Sequence, residues 1–144
     1  MRFMDEDHQE FYERMLSAHK NDGYHRGLFY LLSLLPDTRR HINDLYNSRD
    51  DVIRLSGLHK AWQTGGSIRV TRLAFNLFNG YDGFDGEKQD EPASLYTPDA
   101  LLDSSLCEYC LEACRIRYDY IPQFERHAAY DEPIESDEAE WEWE

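Results

Sequence analysis

Three cysteines, Cys107, Cys110 and Cys114, lie within eight residues of one another. Thiolates converging on one point from a turn and a second element would hold zinc or an iron–sulfur cluster. Spacing of three and four residues instead places them on one helical face, beside Leu106, Leu111 and Ala113, where cysteine acts as a small hydrophobe. A fourth ligand could come only from His127, beyond Pro122. The six histidines show no His-x-x-x-His or His-Glu-x-x-His pair, the spacing that aims two imidazoles at one metal ion. Asp82-Gly83-Phe84-Asp85-Gly86-Glu87 has the composition of a calcium loop. Its two aspartates are three apart, however, and the position six after Gly86 is Pro92, so the ligand pattern fails. Gly65-Gly66-Ser67 could seat an anion on free N–H groups, with Arg69 and Arg72 close by, but no Lys-Ser or Lys-Thr pair follows to make a P-loop. No serine stands in a nucleophile elbow. These residues predict neither cofactor nor metal, and a protein that is not an enzyme.

The elements that carry these residues read as helices. Asp5 can cap a first helix with the stripe His8, Phe11, Tyr12, Met15 and His19, whose histidines are expected to be hydrogen-bonded packing residues. After the break at Asn21-Asp22-Gly23, residues 24–35 are apolar nearly all round, as befits a central helix covered on several sides. Pro36 ends it, and a helix restarts at Asp37 or Thr38 and runs through Ile42, Leu45 and Tyr46. Val70, Leu73, Ala74, Leu77, Phe78 and Tyr81 make the most regular amphipathic face of the chain, closed by a left-handed cap at Asn79-Gly80. Arg69, Arg72, Asn76 and Asn79 fall on the opposite face, either as a solvated surface or as a hydrogen-bonding strip for a partner. Residues 82–96 read as an acidic loop. Thr97-Pro98-Asp99 starts a short helix, and Ser105 with Glu108 predicts a capping box for a last helix reaching about Tyr118. With no strand alternation, the class is all-α: a compact bundle of five or six helices over residues 1–130, with an acidic C-terminal tail over 131–144.

Charge is the most uneven property of the chain. Its 29 acids and 15 bases give a net charge of −14, but residues 1–90 hold 14 acids and 12 bases, whereas 91–144 hold 15 acids and 3 bases. The tail carries Asp131, Glu132, Glu135, Asp137, Glu138, Glu140, Glu142 and Glu144, no base, and the tryptophans Trp141 and Trp143. Such a block of like charge stays solvated until something positive meets it. Direct nucleic-acid binding is therefore not expected. A basic protein surface, with an apolar patch for the tryptophans, is the complement. No apolar run reaches a bilayer span, since Leu28–Leu35 stops at Pro36. The amino terminus lacks an apolar signal core, so a cytoplasmic protein is expected.

Trp62-Gln63-Thr64-Gly65, the run Arg72-Leu73-Ala74-Phe75-Asn76-Leu77-Phe78-Asn79-Gly80-Tyr81, the opening Phe3–His8 and the central Gly27–Leu32 together resemble a family of small, functionally uncharacterised proteins of Gram-positive bacteria and their prophages. The resemblance spans roughly residues 1–118 and is most specific at Arg72–Tyr81. It implies an all-helical fold and a phage or mobile-element setting in a bacterial host, and it brings no catalytic residues. Where the family has Phe, Ala and Ile in its last helix, this chain has Cys107, Cys110 and Cys114. The expectation is an inhibitor in the style of anti-CRISPR proteins. It would block a nucleic-acid-binding host protein, such as a defence nuclease, by acidic mimicry through residues 131–144, aided by Asp82, Asp85, Glu87, Asp90 and Glu91. The alternative is a helical adaptor or structural phage protein that uses the Arg69/Arg72/Asn76/Asn79 face.

Overall fold

A computed structural model describes residues 1–120. Helix α1 spans Glu6–Ala18, and the Asp5 carboxylate accepts from the His8 N–H at 2.8 Å, satisfying a donor that the first turn cannot. Asp22, read as part of a break, is in fact the cap of α2 (Gly23–Leu32), accepting from the His25 N–H at 2.9 Å. Every side chain from Leu28 to Leu32 is fully buried, and so is Leu34. Helix α5 (Gly65–Asn79) and helix α7 (Cys107–Tyr118) pack along α2, and α1 covers a third side. Each large side chain so enclosed contributes about 1.5–3 kcal/mol of transfer free energy, which is why this segment, apolar on all faces, takes the centre.

The seam between α2 and α7 is a close approach of backbones. A Cβ added at Gly23 would lie 2.3 Å from the Arg117 carbonyl oxygen, and one at Gly27 would lie 3.2 Å from Arg117 Cβ. The two glycines are four residues apart and share a helical face. Arg117 completes the joint: its Nε donates to the Leu77 carbonyl near the end of α5 at 2.8 Å, and its guanidinium lies over the Tyr24 ring at 3.8 Å. His8 is buried as expected. Nε2–H donates to the Tyr30 carbonyl at 2.8 Å and Nδ1 accepts from the Met4 N–H at 3.1 Å, fixing one neutral tautomer. Burial also lowers its pKa. His19 likewise donates from Nδ1 to the Met15 carbonyl, at 2.8 Å.

Thr64 caps α5 in a reciprocal box with Ser67, and Gly80, at φ 80°, provides its left-handed end. Thr97 caps α6 (Pro98–Leu102) as expected. Three expectations need correction. The helix after Pro36 breaks at His41 into α3 (Pro36–Arg40) and α4 (Ile42–Leu45). No capping box forms at Ser105, because Ser104 Oγ takes the Leu106 N–H at 3.1 Å and Glu108 pairs with Arg2. The architecture is mostly rather than wholly helical. Beside seven α-helices, the described residues include two antiparallel hairpins, β1 (Tyr46–Asn47) with β2 (Val52–Ile53) and β3 (Phe84–Asp85) with β4 (Lys88–Gln89). Strands of two residues leave no alternation to read. Short 3-10 turns at Leu55–His59 and Ala93–Tyr96 complete the order. No helix among the described residues is long and apolar enough to cross a membrane.

The glycine seam makes a contrast testable by urea denaturation. Gly23→Val should lower stability by about 1–3 kcal/mol or more through overpacking. Gly65→Ala, where nothing lies within 4 Å, should be neutral or gain about 0.4–1 kcal/mol. Equal midpoints for the two variants would show that α7 does not press on α2.

Candidate functional site

At the carboxyl end of α5 the chain leaves through Gly80, and two side chains of that helix clamp the exit. Asn76 Nδ2 donates to the Tyr81 carbonyl and Asn79 Oδ1 accepts from the Tyr81 N–H, both at 3.0 Å. Tyr81 is thereby buried against Tyr96, ring centroids 5.4 Å apart and edge to face. Its hydroxyl donates to Asp90 Oδ2 at 3.2 Å. Gly83, at φ 104°, closes the hairpin base: its carbonyl accepts from the Asp90 and Glu91 N–H groups, and a Cβ there would strike the Glu91 carbonyl at 2.4 Å. This holds the β3–β4 tip out from the body, with Asp82, Asp85 and Glu87 exposed. Between the tip and the β1–β2 hairpin lies an open groove of about 390 Å³, with Phe78 and Tyr81 along its length. Two large side chains in it face solvent, Val52 at 48% and Phe84 at 40% exposure. A lining that mixes apolar side chains with carboxylates suits a cationic segment that also has apolar surface.

Two of the acids expected to act with this hairpin are otherwise engaged. Glu91 is buried, its Oε2 accepting from Arg72 Nε and Nη2 at 3.0 and 2.8 Å and its Oε1 from the Tyr96 hydroxyl. That correction follows from its position under the hairpin base, where an unpaired carboxylate would be costly. Burial and the Glu91 carboxylate push the Tyr96 hydroxyl pKa upward. Asp90 is half-buried, and hydrogen bonds from His59 Nε2 and the Tyr81 hydroxyl hold its pKa down. The strip Arg69, Arg72, Asn76 and Asn79 does share a face, but each member bonds within the chain: Arg69 donates to the Asp103 carbonyl, Arg72 holds Glu91, and the two asparagines hold Tyr81. The anion seat at Gly65-Gly66 loses its nearby arginines to these same bonds.

A second polar cluster escapes the sequence pattern. His25 is buried, with Nδ1 2.8 Å from Asp22 Oδ1 and Nε2 2.8 Å from Asp51 Oδ1; the Tyr46 hydroxyl donates to the same Asp51 oxygen at 2.6 Å. Both ring nitrogens are occupied, so the ring ties the start of α2 to the first hairpin rather than presenting a free base. The partners come from positions 22, 25, 46 and 51; the only advance signal was a tyrosine and aspartates flanking the helix, and that is commonplace. Among the cysteines, Cys110 is wholly buried and burial raises its pKa to about 11. Cys107 and Cys114 are partly buried, and all three are free thiols. No group of three or more potential metal ligands occurs among the described residues.

The tail residues Asp131, Glu132, Glu135, Asp137, Glu138, Glu140, Trp141, Glu142, Trp143 and Glu144, and the tail as a separate unit, lie outside the described residues, as does His127. Fold and groove together define a small, mostly helical protein built round one buried helix. Residues 1–129 match a family of unknown function (DUF6075), and the chain belongs to that family. No curated protein and no solved structure matches it.

Arg72→Ala should cost about 3–5 kcal/mol, since it leaves the Glu91 carboxylate buried without its cation; a loss below about 1 kcal/mol in a denaturant titration would show an exposed, weak pair. The His25 cluster yields a pH prediction. Burial acts to raise both Asp22 and Asp51, but hydrogen bonds from His25, and from Tyr46 to Asp51, outweigh it and lower both pKa values. Their stabilisation is complete above the unfolded carboxylate range, about pH 4, and is lost as pH falls through the lower folded values. His25→Gln should flatten this acid limb of unfolding stability between pH 5 and 2. An unchanged slope would mean that the ring does not hold these carboxylates down.

Proposed function

We propose that this protein is a non-enzymatic, protein-binding inhibitor encoded by a phage or mobile element. In this reading it covers a basic, nucleic-acid-binding surface of a host protein with carboxylates set at phosphate-like intervals. The observation that carries the reading is the β3–β4 hairpin, which projects Asp82, Asp85 and Glu87 beside a groove with exposed Phe84 and Val52. Acids and apolar side chains placed together favour a cationic surface with some apolar area over free polycations in solution. The acids and tryptophans of residues 131–144 extend the same chemistry along the chain. The family resemblance to prophage proteins supplies the setting.

The Arg69/Arg72/Asn76/Asn79 face remains the alternative for a helical adaptor, and Arg69→Glu is its cleaner probe, since altering Arg72 also breaks the buried pair. The main reading is tested by capturing partners from host lysate with the intact protein. Removal of residues 131–144, or Asp82→Asn with Asp85→Asn and Glu87→Gln, should each weaken capture about tenfold or more, and duplex DNA should release the captured protein. Added salt should weaken it steeply. Capture indifferent to duplex DNA and to both sets of changes would overturn mimicry; capture lost only in Arg69→Glu would favour the adaptor.

A further inference from the structure

The two hairpins turn unpaired backbone outward along a shared groove. In an antiparallel ladder, opposed residues alternate between pairs that exchange backbone bonds and pairs that exchange none. At the second hairpin the Asp90 N–H donates to the Gly83 carbonyl at 2.7 Å, which makes that pair a bonded one. The next pair, Phe84 with Gln89, is therefore of the open kind, and the Phe84 N–H and C=O point away from β4. At the first hairpin the Arg54 N–H donates to the Leu45 carbonyl at 2.8 Å. By the same alternation Ile53, opposite Tyr46, turns its N–H and C=O away from β1. Outside the ladders, no described residue hydrogen-bonds to any of these four groups.

The groove of about 390 Å³ is lined from β2 by Val52 and Ile53 and from β3 by Phe84 and Asp85, while β1 and β4 contribute nothing to it. It thus runs along the two outer strand edges, and a free edge is a template for one more strand. Charge selects what that strand is. Asp82 and Asp85 stand in the lining, which holds no base. A second copy of this chain, at a net charge of −14, would bring the same acids edge to edge, and like charges opposed across a ladder destabilise it. Nucleic acid is disfavoured by the same sign. An extended segment with basic side chains fits, and Phe78 and Phe84 beside the acids favour apolar residues between the basic ones.

We propose that an extended, basic segment of a partner protein enters this groove as an added strand. Its backbone exchanges hydrogen bonds with the Phe84 N–H and C=O, and its lysine or arginine side chains meet Asp82 and Asp85. The ladder supplies affinity without regard to sequence, and the carboxylates select the sign of the side chains. This inference rests on the reading above, that the hairpin receives a cationic partner, and adds the manner of its capture. It is tested on the full chain with a synthetic peptide of alternating arginine and valine. Hydrogen–deuterium exchange of the Phe84 amide, fast in the protein alone, should slow about tenfold or more when the peptide saturates. N-methylation of the peptide's central residues keeps every side chain and charge but removes the backbone donors, and should weaken binding about tenfold or more. Asp82→Asn with Asp85→Asn should weaken it by a similar factor. Undiminished binding of the methylated peptide, or protection at Ile53 without Phe84, would overturn strand addition and leave the cationic partner standing. Failure of the unmethylated peptide to bind, or equal binding by a peptide with glutamate in place of arginine, would overturn both.

Discussion

A helical segment without a solvent face has to be walled in by the rest of the chain, and the carboxyl half of α2 is such a segment. Leu28 through Leu32 leave no exposed edge, so α1, α5 and α7 are obliged to converge on it from different directions. The narrowest of these contacts, α7 on Gly23 and Gly27, is possible only because neither glycine has a side chain. Once α7 is that close, Arg117 can reach the Leu77 carbonyl near the end of α5 and stack on Tyr24. One buried helix thus sets the spacing of the three long helices around it. The irregular segments between them are left to find other anchors.

Those anchors are polar and specific. His8 holds the opening residues to the end of α2, His25 holds the first hairpin through Asp51, and the Arg72–Glu91 pair holds the second. The two histidine rings and the Arg72–Glu91 pair are largely shielded from water, where a missing partner is more damaging than a present one is stabilising. Apolar packing alone would tolerate small shifts of these loops. A bidentate guanidinium on one carboxylate, or a ring with both nitrogens engaged, tolerates few. The hairpin that carries Asp82, Asp85 and Glu87 is therefore presented from a fixed base, although its tip is in solvent.

Much of the helical framework was legible in the residues because helices are local. Asp5, Thr97 with Pro98, and Gly80 announced their ends, and the 3.6-residue periodicity from Val70 to Tyr81 announced the core face of α5. The near-continuous apolar run of α2 announced its central place. The hairpins were not legible, since two-residue ladders have no period. The Ser105 box was misread because Ser104 next door competes for the same turn. The polar face of α5 looked available because sequence shows the direction of Arg72 but not the buried Glu91 that waits there, nineteen positions further on. Pairings at such separations are products of topology, and periodicity is silent about them.

Arg2 lies against the far end of the described chain. Its N–H donates to Glu112 at 3.0 Å, its guanidinium meets Glu108, and its carbonyl accepts from the Tyr30 hydroxyl at 2.6 Å. During synthesis on a ribosome, the segment around Arg2 therefore has no complete binding site until α7 has followed it out. A segment made before α1 is thus secured only after α7, against the order of synthesis.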